Sequence, residues 1–148
     1  MDGLDLRIRN EIYSSFVRTG NAPTPAETAA AAGLTAQEVE AALQRLHDAH
    51  ALVLAQDGRA IRMLNPFSAV ETPHRVEARG RSWFANCAWD ALGIPAALHV
   101  DGRIASTCPD CGEALELEVR DGALARGAEL LVHFVVPARR WWDDIGFT

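Results

Sequence analysis

The chain has 148 residues, 49% of them hydrophobic and 23% charged, with 14 Lys+Arg against 20 Asp+Glu for a net charge of −6 at pH 7. A chain of this size folds as one compact domain, or two small ones sharing a core, without disulfide staples, and its ordinary composition excludes repeat, collagen-like and low-complexity classes. The basic charge is entirely Arg, and the acidic balance argues against a phosphate backbone as the main partner. Along the chain, Leu4, Ile8, Ile12 and Phe16 recur every four residues until Gly20, which predicts an amphipathic helix over 4–17. Thr24-Pro25-Ala26-Glu27 and Thr35-Ala36-Gln37-Glu38 are capping boxes that start two further helices on either side of a turn at Gly33. Leu52-Val53-Leu54 and Ile61-Arg62-Met63 flank Asp57-Gly58, a hairpin signal.

Three helices followed by a hairpin is the winged-helix order. Its third helix exposes Glu38, Glu40 and Asp48 against Arg45, and an acidic helix would repel a duplex, so an interaction or structural role is expected here in place of DNA reading. Residues 65–73 are punctuated by Pro66 and Pro73 and read as a linker that packs through Phe67 and Val70. Beyond it, strands are expected at 75–78 and 82–85 about Arg79-Gly80, at 97–100 and 104–107 about Asp101-Gly102, over the alternating 115–120, and over the apolar run 130–136. One short helix over 87–92, closed by Gly93 and Pro95, interrupts them. The fold class is therefore α+β: a winged-helix-like module over residues 1–64, packed on a small, mostly antiparallel sheet with few helices over 65–148.

No stretch approaches the ~20 apolar residues of a membrane span, and the amino terminus lacks the basic-then-apolar order of a secretory signal. A cytoplasmic protein is expected, in which Cys87, Cys108 and Cys111 are free thiols or metal thiolates.

Asn86-Cys87-Ala88-Trp89-Asp90 is the most informative stretch. With Asn86 as N-cap, Cys87 falls in the first turn, where the helix dipole and unpaired N–H groups favour a thiolate, so a lowered thiol pKa is expected. Asp90, three residues on, shares its face and lies within proton-transfer reach. The same residues also admit a plain reading, with Cys87 a small buried hydrophobe and Asp90 a first-turn acid that complements the dipole. Cys108-Pro109-Asp110-Cys111-Gly112 is a knuckle between strands that aims two sulfurs at one point, suiting a soft metal ion or a redox dithiol. By itself it is half of a zinc site, with Cys87, His99, His133 and Asp90 as candidate further ligands. Trp83, Trp89, Trp141 and Trp142 are expected to fill core, with Trp83 and Trp89 close enough to Cys87 to wall an apolar pocket. Glycine-rich phosphate loops and a serine nucleophile elbow are absent from the sequence.

Taken together, the amino-terminal module, Phe84-Ala85-Asn86-Cys87-Ala88-Trp89-Asp90-Ala91-Leu92, Pro95-Ala96, Ser106-Thr107-Cys108 and Val135-Val136-Pro137 resemble the organomercurial (alkylmercury) lyases over essentially the whole chain. The resemblance implies carbon–mercury cleavage by protonolysis, with two cysteines and an aspartate. Cys87 would be the thiolate that attacks mercury, and Asp90 the acid that relays a proton to the leaving carbon, giving R–H and Hg²⁺. No organic cofactor is implied; the partner is a small organomercurial. The resemblance also places the family's second active-site cysteine at about position 148, where this chain has Thr148, and continues with a further strand and helix. Cys111 is the substitute within the chain, and a homodimer would cover an open sheet edge.

A second reading from another class is a non-catalytic metal-thiolate binding or sensing protein. Cys87, Cys108 and Cys111 would hold Zn²⁺, Cu⁺ or Hg²⁺, with Zn²⁺ at the C-x-x-C, and the winged helix would serve as the interaction surface.

Overall fold

A computed structural model describes residues 1–145. Three helices open the chain: α1 (Gly3–Thr19), α2 (Pro25–Ala32) and α3 (Ala36–Asp48). Each begins at a capping box, including one at Asp2 and Asp5 in addition to the two threonine boxes expected. Gly20 closes α1 with φ 81° against β5, where any Cβ would lie 2.8 Å from the Ser82 carbonyl oxygen. The Asp57-Gly58 hairpin follows as β1 (Val53–Leu54) and β2 (Ile61–Leu64).

Among the described residues, eight strands form one sheet with every neighbouring pair antiparallel. Beyond the hairpin these are β3 (Phe67–Ser68), β4 (Arg75–Ala78), β5 (Arg81–Ala85), β6 (Gly102–Thr107), β7 (Ala114–Arg120) and β8 (Ala123–Arg126), in the order β1-β2-β3-β5-β4-β6-β7-β8. This is the α+β class, and the expected hairpins at Arg79-Gly80 and Asp57-Gly58 are present. The packing linker turns out to carry β3, which bridges β2 to β5, so the sheet passes unbroken from the amino-terminal helices to the second half.

Phe67, fully buried in β3, is where the halves meet. It stacks on Phe16 at 5.3 Å between centroids and takes the edge of Tyr13 at 5.2 Å. Trp83 of β5 completes the contact, its indole N–H donating to the Phe16 carbonyl at 2.7 Å. Burying three aromatic rings against the half-buried Tyr13 gives both the apolar area and the ring geometry that hold a core in one arrangement.

Four expectations fail. The helix at Cys87 does not stop at Leu92, and 97–100 is not a strand: α4 runs from Ala88 to Leu98 through Gly93 and Pro95, ending at His99 with φ 50°. A proline normally breaks a helix interior by removing a donor and crowding the preceding turn. Here tertiary packing prevails, because Ala91, Ile94 and Pro95 are buried and the Pro95 ring sits over Gly102, 3.2 Å from where a Cβ would stand.

The apolar run 130–136 is not a central strand either. It leaves β8 at Gly127, passes over the surface with Leu131 94% exposed, and leads to a short 3₁₀ helix, Ala138–Asp143. A continuous apolar run needs a strand beside it and cover on both faces, and among the described residues neither is offered to it. Nor do all four tryptophans fill core. Trp83 is buried, but Trp89 is 58% exposed, and Trp142 stacks on the exposed ring of His50 at 4.0 Å. No helix among the described residues is long and apolar enough to cross a membrane.

Candidate active site

The start of α4 brings Cys87 and Asp90 together. Cys87 itself is the N-cap, in place of the Asn86 expected, with extended backbone and its sulfur accepting from the Asp90 backbone N–H at 3.4 Å. The thiol in turn donates to Asp90 Oδ2 at 3.6 Å. Asn86, freed from capping, donates from Nδ2 to the same Asp90 oxygen at 3.1 Å and to Asn65 Oδ1 at 3.0 Å.

The acidity of this pair corrects the thiolate expectation. Burial pushes the Cys87 thiol above its usual value, and the neighbouring carboxyl adds to the rise; the backbone N–H groups that address the sulfur lower it by less. A helix start favours a thiolate only where the sulfur is also solvated or faces positive charge, and Cys87 has a carboxyl beside it. Burial likewise raises the Asp90 carboxyl, against the lowering effect of its bonds from Asn86 and Cys87. The two groups therefore hold a proton between them.

Beside α4 lies an aromatic strap through Phe134 and Trp141 that the sequence alone does not reveal. The exposed Trp89 meets Phe134 edge-on at 6.3 Å, and Phe134 meets Trp141 at 5.0 Å. The segment expected to be a strand is thus the wall beside α4. His74, just before β4, and Ser106 of the neighbouring β6 are 2.7 Å apart, with the imidazole pKa lowered by burial. Ser106 is itself buried, which suits a cross-strand pin more than a nucleophile.

Cys108 and Cys111 occupy the β6–β7 turn, which Gly112 closes with φ 74°; its N–H donates to the Cys108 carbonyl at 2.9 Å. Cys111 is exposed and Cys108 half-exposed. Backbone N–H groups of Cys111 and Asp110, and the Cys111 thiol, lower the Cys108 pKa, so the readily ionised sulfur belongs to the turn and not to the helix start. No group of three or more His, Cys, Asp or Glu side chains that could hold a metal occurs among the described residues. The three cysteines thus do not stand as one preformed triad. Two sulfurs on a turn fit a two-coordinate soft ion better than a closed four-ligand zinc site. The expectation at Thr148 lies outside the described residues.

Two clefts lie elsewhere. One of about 510 Å³ is lined by Arg75, Glu77, Arg79, Arg81, Arg103 and Glu118 at the β4–β5 turn. Among its charges Arg75 pairs with Glu77 at 3.1 Å, and neither Cys87 nor Asp90 lines it. The other, of about 330 Å³, lies between α1, the end of α3 and Trp142.

Comparisons with known proteins show what the chain is similar to. A family model described as alkylmercury lyase matches residues 67–148. An alkylmercury lyase of Staphylococcus epidermidis is 36% identical over 98 residues, covering 66% of this chain and 43% of that protein. The crystal structure of the mercury-bound form of MerB2 is 28% identical, with a TM-score of 0.71 over 87% of this chain and 62% of that one. The chain thus spans less than half the length of the curated relative and under two thirds of the solved one. By the match of its second half, and by the fold that carries it, this chain belongs to the alkylmercury lyase family.

Proposed function

We propose that this chain cleaves the carbon–mercury bond of small organomercurials, releasing R–H and leaving Hg²⁺ on thiolate sulfur, with Cys87 and Asp90 as its catalytic residues. One observation carries the reading: a thiol and a carboxyl, both made reluctant to lose a proton, share one at 3.6 Å. Mercury is a soft ion that displaces a thiol proton even where water does not. As the Cys87 sulfur bonds to R–Hg⁺, its proton passes to Asp90. The neutral acid then protonates the carbon, the carbon–mercury bond breaks with its electron pair on carbon, and R–H leaves. Asp90 ends as carboxylate and mercury stays on Cys87, so protons and charge balance without an organic cofactor. Burial serves both steps, since a raised carboxyl is the better proton store for a carbon acceptor.

The second thiolate for Hg²⁺ is assigned to the exposed Cys108–Cys111 turn, with Cys111 as the sulfur added by this sequence. The unit over 1–64 acts as scaffold to the lyase unit over 65–148, and free thiols suit a reducing cytoplasm. Incubation with phenylmercury and excess thiol should release benzene. An unchanged benzene yield from Cys87→Ser would refute the assignment.

A further inference from the structure

Asn86 places both of its amide hydrogens on oxygen: one on Asp90 Oδ2 at 3.1 Å, the other on Asn65 Oδ1 at 3.0 Å. The opposite amide orientation would set its carbonyl oxygen against two acceptors, so the donors fix the flip. Its own Oδ1 is buried without a partner, a state that persists only when the rest of the network over-determines it. Asn65 sits between β2 and β3, 21 residues away along the chain. The amide thus ties the acid of α4 to the amino-terminal hairpin.

Cys87 and Asn86 address the same carboxyl oxygen. An oxygen that accepts from both an S–H and an N–H is the carboxyl oxygen set to receive the thiol's proton. From this geometry we infer that Asn86, anchored by Asn65, is a positioning residue that holds Asp90 Oδ2 toward the thiol, so that this oxygen takes the Cys87 proton and passes it on to carbon. The inference rests on the lyase reading for its chemistry, but its geometric content can be tested without turnover.

The test compares wild type, Asn86→Ala, Asn86→Asp and Asn65→Ala. Asp90 is titrated through its carboxyl carbon NMR signal, assigned by its loss in Asp90→Asn. Losing the donor in Asn86→Ala should move the Asp90 midpoint up. Asn86→Asp, which sets an acceptor against an acceptor, should move it further, and Asn65→Ala should move it least. This ordering is not what mere loss of fold stability produces. In turnover of phenylmercury, Asn86→Ala should lower kcat by about 10- to 100-fold with KM little changed, and its pH profile should shift with the midpoint.

An Asp90 midpoint identical in wild type and Asn86→Ala overturns the inference. Should Asn86→Ala not fold, Asn65→Ala decides by the same measure, with an unmoved midpoint counting against it. A wild-type protein that releases no benzene sinks the lyase reading alone, because the titration still decides the role of Asn86.

Discussion

At the starts of α2 and α3, a threonine caps the helix and a glutamate three residues on reaches back. Thr24 Oγ1 accepts from the Glu27 N–H at 3.2 Å and donates to Glu27 Oε2 at 2.8 Å, and Thr35 with Glu38 repeats the pattern. The start of α4 has the same circuit in sulfur: Cys87 accepts from the Asp90 N–H and donates to Asp90 Oδ2. The two regions differ in what else the acid meets. Each exposed glutamate also accepts from the threonine backbone N–H, the chief cause of its lowered pKa. Asp90 accepts instead from the Asn86 side chain, and burial raises it. One capping motif therefore yields a structural anion in solvent and a stored proton in a half-buried site, and the surroundings decide which.

The sharpest break of this comparison is Cys87→Ser, which converts the α4 start into the oxygen version of the box. Serine is a good N-cap, so thermal unfolding should stay close to wild type. Organomercurial cleavage should fall by about a thousandfold or more, since the soft nucleophile is gone. Benzene release and Tm measured on one preparation check both halves of this expectation.

Asp90→Asn should cost about 10²- to 10⁴-fold in cleavage rate, the usual worth of a positioned acid. Its effect on stability has the opposite sign. Because the folded carboxyl pKa lies above the unfolded one, the native state is penalised at pH above both values, and the penalty disappears as pH falls below the unfolded value. The variant should therefore melt higher than wild type near about pH 7 and show no gain in acid. A Tm difference independent of pH would mean that burial does not set the acidity of Asp90.

A smaller effect separates the two thiol sites. Backbone N–H groups lower Cys108 while burial raises Cys87, and the thiolate is the form that alkylates. Under limiting iodoacetamide, mass mapping should find Cys108 modified first as pH rises and Cys87 later. The reverse order would restore the helix-start thiolate that the local sequence suggests.

The amino-terminal half was legible because its signals are local. Capping boxes at Thr24 and Thr35, the four-residue stripe from Leu4 and the Asp57-Gly58 turn each act within a few residues, and all are present. In the second half, long-range packing overrode local preference. Pro95 reads as a stop until Gly102 is seen to receive its ring, and residues 130–136 read as a buried strand although no neighbour among the described residues pairs with them. At the site, Cys87 and Asp90 were legible by their three-residue spacing, and Asn86 at position i−4 from Asp90 offered a helical-face signal that the capping interpretation masked. Asn65 gave none, since only the fold brings it to Asn86. The acidity of Cys87 was misjudged because helix position is written in sequence and burial is not.

The mildest change, Thr35→Ala, tests the other side of the comparison. Removing the hydroxyl leaves the Glu38 N–H without its side-chain acceptor and should cost about 1 kcal/mol of stability. Glu38 has its pKa lowered in the folded protein by the Thr35 backbone N–H first and the hydroxyl second. A depressed folded pKa contributes stability that is present above the unfolded value and lost as pH falls through the folded one. The wild-type advantage over Thr35→Ala should therefore shrink in acid, whereas the advantage of Asp90→Asn over wild type should shrink there for the opposite reason. Carbon–mercury cleavage should not change, because α3 starts far in sequence from the thiol and its box holds only a helix. A matched pair of pH–Tm curves for the two variants would show one motif acting as a cap in one place and as a proton store in the other.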